Sequence, residues 1–205
     1  MTISYAITAH NEHRELERLL EMMTTQIRPE DEIVIQLDKT ATAEVRSTCF
    51  DFGRANLRVV EFPLNGDFAA FKNNLSKECL KDYIFQIDAD EYPHPYLIQS
   101  LDDIVSYNQT IDVFLTPRIN TVEGLTQQHI DKWRWNVNEQ GWVNFPDYQW
   151  RIWKNKKGIH WINKVHERLN GFQQYSLLPE LQEYCLFHPK DIKRQERQNN
   201  FYSTL

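Results

Sequence analysis

Strand-like and helix-like runs alternate four times in the first half of the chain, and no other feature restricts the fold as much. Ile3-Ser4-Tyr5-Ala6-Ile7-Thr8-Ala9 reads as a strand, rich in the side chains that suit a pleated surface. After the polar turn His10-Asn11-Glu12, Leu16, Leu19, Leu20 and Met23 fall at helical spacing, with Asn11 as N-cap and Pro29 closing the unit. Ile33 to Leu37 is a second strand ending at Asp38, followed by a helix through Val45, Cys49 and Phe52 that stops at a C′ glycine, Gly53. Leu57 to Phe62 is the third strand, and Phe68, Phe71, Leu75 and Cys79 line one face of a helix reaching Leu80. Tyr83 to Ile87 is the fourth, and a helix started by Pro95 carries Leu97, Ile98, Leu101, Ile104 and Val105. Such alternation gives an α/β fold with a mostly parallel sheet and right-handed crossovers. Ligands of open α/β sheets sit beyond the carboxyl ends of the strands. There the topology gathers His10, Asn11, Asp38 and Asp88, which are scattered in sequence. No Gly-rich fingerprint follows the first strand, which counts against a dinucleotide-binding enzyme.

The fourth strand runs into Asp88-Ala89-Asp90-Glu91, with Pro93 and Pro95 just beyond. Asp88 and Asp90 are two apart, so in extended backbone they project to one side. Paired carboxylates repel unless a cation lies between them, and a hard ion such as Mg²⁺ or Mn²⁺ takes oxygen ligands and shares them with phosphates. The pair therefore reads as a metal site for a phosphate-bearing substrate. The bland alternative is an acidic turn after a strand.

After Asp112 the regular pattern ends. Val113 to Pro117 is one more strand, and all six tryptophans lie between Trp133 and Trp161. Asp147 to Lys154 and Ile159 to Val165 read as strands, Glu183 to Phe187 as a last strand ending at His188-Pro189, and Asp191 to Leu205 as a polar helix. The tryptophans read mainly as packing, with one or two as stacking floors for a sugar. About 90 residues could hardly bury a core of their own, so the irregular half belongs to the same domain as the regular one. A net charge of −6 argues against nucleic-acid binding. No apolar run approaches the ~20 residues of a membrane span, which leaves room only for peripheral membrane association. Three widely spaced cysteines, Cys49, Cys79 and Cys185, and no secretory signal point to reduced thiols in a cytoplasmic protein.

With these residues laid out, the chain resembles the family 2 glycosyltransferases of GT-A fold, in particular small bacterial lipopolysaccharide-core glucosyltransferase-like members. Six segments carry the resemblance in order: Ile7 to Glu12, Ile33 to Asp38, Phe68 to Asn73, Ile87 to Glu91, Gly141-Trp142 through Pro146-Asp147 to Arg151, and Val165-His166-Glu167. Lys39-Thr40-Ala41-Thr42 departs from the family's usual Ser/Gly-rich turn after the second strand.

The resemblance implies one GT-A domain: residues 1–112 hold a nucleotide sugar, 113–190 face the acceptor, and 191–205 form a C-terminal helix. It implies a metal-dependent, inverting transfer from a nucleotide-diphosphate sugar, a UDP-sugar first, to a carbohydrate or other hydroxyl acceptor. Ala9, Asn11, Glu12, Asp38, Lys72, Asn73, Asp88 and Arg151 would line the donor, with Asp38 toward the base and Asn73 bracing the loop. Asp90 would bind Mn²⁺ or Mg²⁺ directly, with Asp88 and His166 beside it. Asp147 would be the general base, with Glu91 and Glu167 as rivals, while the other histidines keep ordinary structural roles. Two further readings stay open: a nucleotidyltransferase, disfavoured by the absent Gly-rich loop, and a non-catalytic carbohydrate- or nucleotide-binding module.

Overall fold

A computed structural model describes residues 1–53 and 56–202, with side chains to residue 197. The four strand–helix units of the first half form as read. They are β1 (Ile3–Ala9) with α1 (His13–Gln26), β2 (Glu32–Asp38) with α2 (Ala43–Asp51), β3 (Leu57–Phe62) with α3 (Phe68–Glu78), and β4 (Tyr83–Asp88) with α4 (Pro95–Tyr107). A two-residue strand, β5 (Tyr92–Pro93), lies between β4 and α4. The second half comprises β6 (Val113–Thr116), β7 (Arg118–Glu123), α5 (Gln127–Trp133), β8 (Gln149–Lys154), β9 (His160–Ile162), β10 (Arg168–Asn170) and β11 (Tyr175–Leu177). A 3₁₀ turn at Gln182–Tyr184, β12 (Leu186–Asp191) and α6 (Ile192–Tyr202) follow.

Seven strands form the main sheet in the order β11-β6-β8-β4-β1-β2-β3. All run in one direction except β8, which is antiparallel to both β4 and β6. Alternate strand residues point to opposite faces and build two cores. Ile3, Tyr5, Ile7, Ile33, Ile35 and Phe85 pack with Leu16, Leu19, Leu20 and Met23 of α1 and Leu97 and Leu101 of α4. Ala6, Val34 and Ile84 pack with Ala69 and Leu75 of α3 and with Trp153 and Trp161. Each fully buried leucine contributes roughly 1.5–3 kcal/mol. Because Trp153 lies on β8, in the middle of the sheet, the tryptophan-rich half shares its core with the regular half.

A second sheet, ordered β5-β12-β7, was not evident from sequence. β12 pairs in parallel with β7 and antiparallel with β5, with His188 opposite Asn120 and Leu186 opposite Pro93. This small sheet sits at the carboxyl end of β4 and supplies much of the site.

Several local expectations need correction. Glu12, not Asn11, occupies the N-cap of α1, and its carboxylate turns back to accept the His10 and Asn11 N–H groups at 2.8 and 3.0 Å. α2 ends at Phe52 with φ −90°, and Gly53 is not left-handed; its N–H closes a tight turn on the Phe50 carbonyl. Glu183 and Tyr184 belong to the 3₁₀ turn, and the last strand runs on through His188 and Pro189, because β7 offers a partner as far as Glu123. β5, β7, α5, β10 and β11 carried too little periodicity to be read. Residues 203–205 of the expected final helix lie outside the described residues. All three cysteines are buried free thiols, and burial raises their pKa to about 11 for Cys49 and about 12 for Cys79 and Cys185. Among the described residues no helix is long and apolar enough to cross a membrane.

Candidate active site

The carboxyl end of β4 is built around a buried cation. Arg151 projects from β8, the reversed strand beside β4, and is 3% exposed. Its Nη2 donates to Asp88 Oδ2 at 2.8 Å and to Glu91 Oε1 at 2.6 Å. Asp88 Oδ1 also accepts the Thr8 hydroxyl at 2.8 Å and the Gln86 amide at 3.1 Å. Burial works to raise the Asp88 pKa, but the charges of Arg151 and Lys72 and these hydrogen bonds outweigh it and hold the carboxyl far below its ordinary range. Glu91 is 1% exposed; it accepts Arg118 Nη1 on Oε1 at 2.8 Å and the Asp88 N–H on Oε2 at 3.3 Å. Glu91 is thus a fixed counter-ion, walled off from any acceptor hydroxyl.

A second chain of groups runs across the small sheet. Asp147 Oδ2 accepts Arg118 Nε and Nη2 at 2.9 and 2.6 Å and Asn120 Nδ2 at 2.9 Å, while among the described residues Oδ1 takes one bond, from Gln149 at 2.7 Å. Burial works against the Asp147 charge, but Arg118, Asn120 and Gln149 lower its pKa overall. Asn120 Oδ1 lies 2.8 Å from His188 Nδ1, and His188 Nε2 lies 3.1 Å from Asp90 Oδ2. Asn120 must turn its amino group to the Asp147 carboxylate, so its carbonyl faces the imidazole and His188 Nδ1 carries the hydrogen. Asp90 Oδ2 also accepts Arg194 Nη2 of α6 at 3.1 Å. Burial works to raise the Asp90 pKa, and His188 and Arg194 bring it far below the ordinary value.

The remaining expected residues are placed as follows. Ala9 ends β1, buried, and Asn11 and Glu12 form the turn after it, at the crevice rim. Asp38 ends β2; Oδ1 accepts the Thr40 N–H at 2.8 Å and the Thr40 hydroxyl, and Oδ2 accepts the Leu64 N–H at 2.6 Å. Burial opposes its charge, but these bonds lower its pKa. Thr40, within the divergent turn, thus fixes Asp38. Lys72 is buried, ion-paired with Glu167, and sits 4.7 Å from the Trp161 ring centroid. Asn73 exchanges two 2.8 Å bonds with the Trp161 backbone. His166 is exposed in the β9–β10 loop at φ 55°. Among the described residues, no three His, Cys, Asp or Glu side chains form a ready cation cage, so Asp88, Asp90 and His166 are not preassembled as one.

Beside Asn120 lies a cavity of about 190 Å³, lined among others by Arg118, Trp135, Val143, Asn144, His188 and Lys190. Burial lowers the Lys190 pKa to about 8.

Sequence reading missed Arg118, Asn120, His188 and Arg194. A usable signal existed for His188, which follows an apolar strand-like run as Asp88 follows the apolar run of β4. Arg118 and Asn120 sit in a strand whose alternation is hidden by its polar inner face.

A parallel sheet with a reversed strand beside β4, and carboxylates gathered where β4 ends, defines an α/β protein with a GT-A type crevice. The chain belongs to glycosyl transferase family 2, whose model matches residues 4–185. No curated protein matches it in sequence. Among solved structures, S. aureus TarS 1–349 superposes with a TM-score of 0.65 at 14% identity, over 92% of this chain and 60% of that one. TarS 1–349 in complex with UDP-GlcNAc gives 0.66 at 15% identity, over 93% and 59%. S. aureus TarS itself gives 0.63 at 16%, over 92% and 37%. The chain thus spans about 60% of the TarS fragment's length, and the likeness is one of fold.

Proposed function

We propose that the protein transfers a sugar from a nucleotide-diphosphate sugar to a hydroxyl acceptor, with inversion and with a bound divalent cation. The observation that carries this reading is the hydrogen-bonded chain Asp90–His188–Asn120–Asp147, which ties a candidate cation ligand to a candidate base.

The donor set suits a cation. His188 Nδ1 gives its hydrogen to Asn120, which leaves Nε2, the nitrogen beside Asp90, as the one that would face a cation shared with that carboxylate, the arrangement of a ligating imidazole with an oriented partner. A carboxylate with an imidazole favours Mn²⁺ over the oxygen-demanding Mg²⁺. Asp90 and His188 would hold the ion, with Asp88 behind them and His188 taking the part that sequence gave to His166. When bound there, the ion would offset charge on the leaving diphosphate.

The chain's own residues do the rest. Ala9, Asn11, Glu12 and Asp38 line the donor side, with Asp38 toward the base, while Lys72 with Asn73 and Arg151 with Asp88 set the walls. UDP is the first nucleotide to test, supported by Asp38 and by the UDP-GlcNAc complex of the similarly folded TarS fragment. Asp147 takes the acceptor proton on Oδ1, whose single bond leaves a lone pair, while Arg118 and Asn120 fix Oδ2. The buried free thiols support work in a reducing, cytoplasmic setting.

Calorimetry with UDP, GDP, CDP and ADP, with Mn²⁺ and with EDTA, tests the donor reading. UDP binding that needs the metal is expected. Equal affinity in EDTA would overturn the cation site, and a clear preference for GDP would overturn the choice of base.

A further inference from the structure

Arg194 is the only described side chain of α6 that reaches Asp90. Its Nη2 is 3.1 Å from Asp90 Oδ2 and 3.7 Å from Glu12 Oε1, and its Nη1 is 2.8 Å from Glu15 Oε1. Asp191 fixes the start of the helix by accepting the Arg194 N–H at 2.9 Å. One guanidinium therefore ties the last helix to the β1–α1 turn across the carboxylate assigned above to the cation. Arg194 and a divalent ion cannot share Asp90 Oδ2 without like-charge repulsion at close range.

We propose that Arg194 is an exchangeable counter-ion: it holds Asp90 in the empty protein, gives way when a divalent cation binds, and then clamps the donor's diphosphate. The inference rests on the functional reading above. The planar fork of arginine matches phosphate oxygens in a bidentate way, and displacement from Asp90 leaves Arg194 beside the cation that holds those oxygens. Glu15, on the exposed side of α1, keeps the side chain near the crevice during the exchange. Because α6 carries the guanidinium, the helix is drawn over the donor only when metal and diphosphate are both present.

The account gives Arg194→Ala two effects of opposite sign. Mn²⁺ alone, followed by its electron paramagnetic resonance signal, should bind about threefold to fivefold tighter, the size of one partly exposed ion pair. UDP at saturating Mn²⁺, followed by calorimetry, should bind about tenfold weaker or worse, the size of a charged hydrogen bond. Arg194→Lys should keep Mn²⁺ affinity near wild type and lose part of the UDP affinity. Matching thermal melts confirm that both variants are folded. An unchanged Mn²⁺ affinity, or an unchanged UDP affinity in Arg194→Ala, overturns the exchange. Wild-type protein that binds neither Mn²⁺ nor UDP overturns the functional reading along with it, whereas wild-type binding with an indifferent variant overturns this inference alone.

Discussion

The two halves of the sheet are stabilised by the same burial but built from different information. In the front half, β1–β2 and β2–β3 join sequence neighbours, and only the β1–β4 pairing, three units apart, is long-range. In the back half, β8 enters between β4 and β6, and β12 reaches back to β7 and β5. Local pattern specifies the first kind of pairing, and non-local contact specifies the second. The chemistry follows that division. The front half supplies Asp88, Asp90 and Glu91 at the end of one strand, and the back half supplies Arg151, Arg118, Asn120, Asp147 and His188 to order and use them.

If that division is right, changes in the back half should alter chemistry more than folding. The largest effect is expected at Asp147. Asp147→Asn should lower kcat about 10²–10⁴-fold, because a general base acts in the transition state, with UDP affinity almost unchanged. Transfer at the wild-type rate by a folded variant would move the base elsewhere, to Glu167 before Glu91, since Glu91 is buried and held by Arg118 and Arg151.

Arg151 crosses the seam and should behave as both halves at once. Arg151→Met leaves Asp88 and Glu91 as buried, undercompensated carboxylates, and should destabilise the fold by about 3–5 kcal/mol in denaturant melts. A near-neutral result would mean that the ion cluster is solvated and that the crevice is not the rigid one described. In contrast, Leu20→Ala in the front-half core should cost about 2–5 kcal/mol and leave kcat unchanged where the variant is folded. A change in kcat at equal folded fraction would break the separation of packing from chemistry.

The smallest effect tests the seam by pH. Asp112 accepts Lys154 and Lys156 on Oδ1 at 3.2 and 2.7 Å, and the Gln173 and Gln174 N–H groups on Oδ2 at 2.8 and 3.4 Å. Burial works to raise its pKa, but these bonds hold it well below the ordinary value. A depressed carboxyl stabilises the fold above its unfolded pKa of about 4, and that contribution fades as pH falls from there through the folded value. Asp112→Asn should therefore lose about 1 kcal/mol at neutral pH, given its partly exposed lysine partners, and flatten the acid limb of stability against pH. An identical acid limb in the variant would remove Asp112 from the seam.

What the sequence made legible follows the same line. Leu16, Leu19, Leu20 and Met23 announced α1 because a helix face repeats locally, and Asp88-Ala89-Asp90 announced a crevice because strand ends gather there. Asn120 and Arg118 were invisible because their roles depend on β12 lying beside β7, a register that no local pattern encodes. His166 and His188 differ in what announces them: the first lies in a family-like tripeptide, whereas the second touches Asp90, a contact that depends on the register of β12. Asn11 failed as a cap because Glu12 is long enough to bind the turn itself.

If the back half completes the cation site begun by Asp90, the two histidines should respond differently to substitution. Mn²⁺ binding in the presence of UDP should be measured by electron paramagnetic resonance for wild type, His188→Ala and His166→Ala, each shown to be folded by thermal melt. His188→Ala should lose tight Mn²⁺ binding and His166→Ala should keep it. Loss in His166→Ala with normal binding in His188→Ala would contradict that role for the back half.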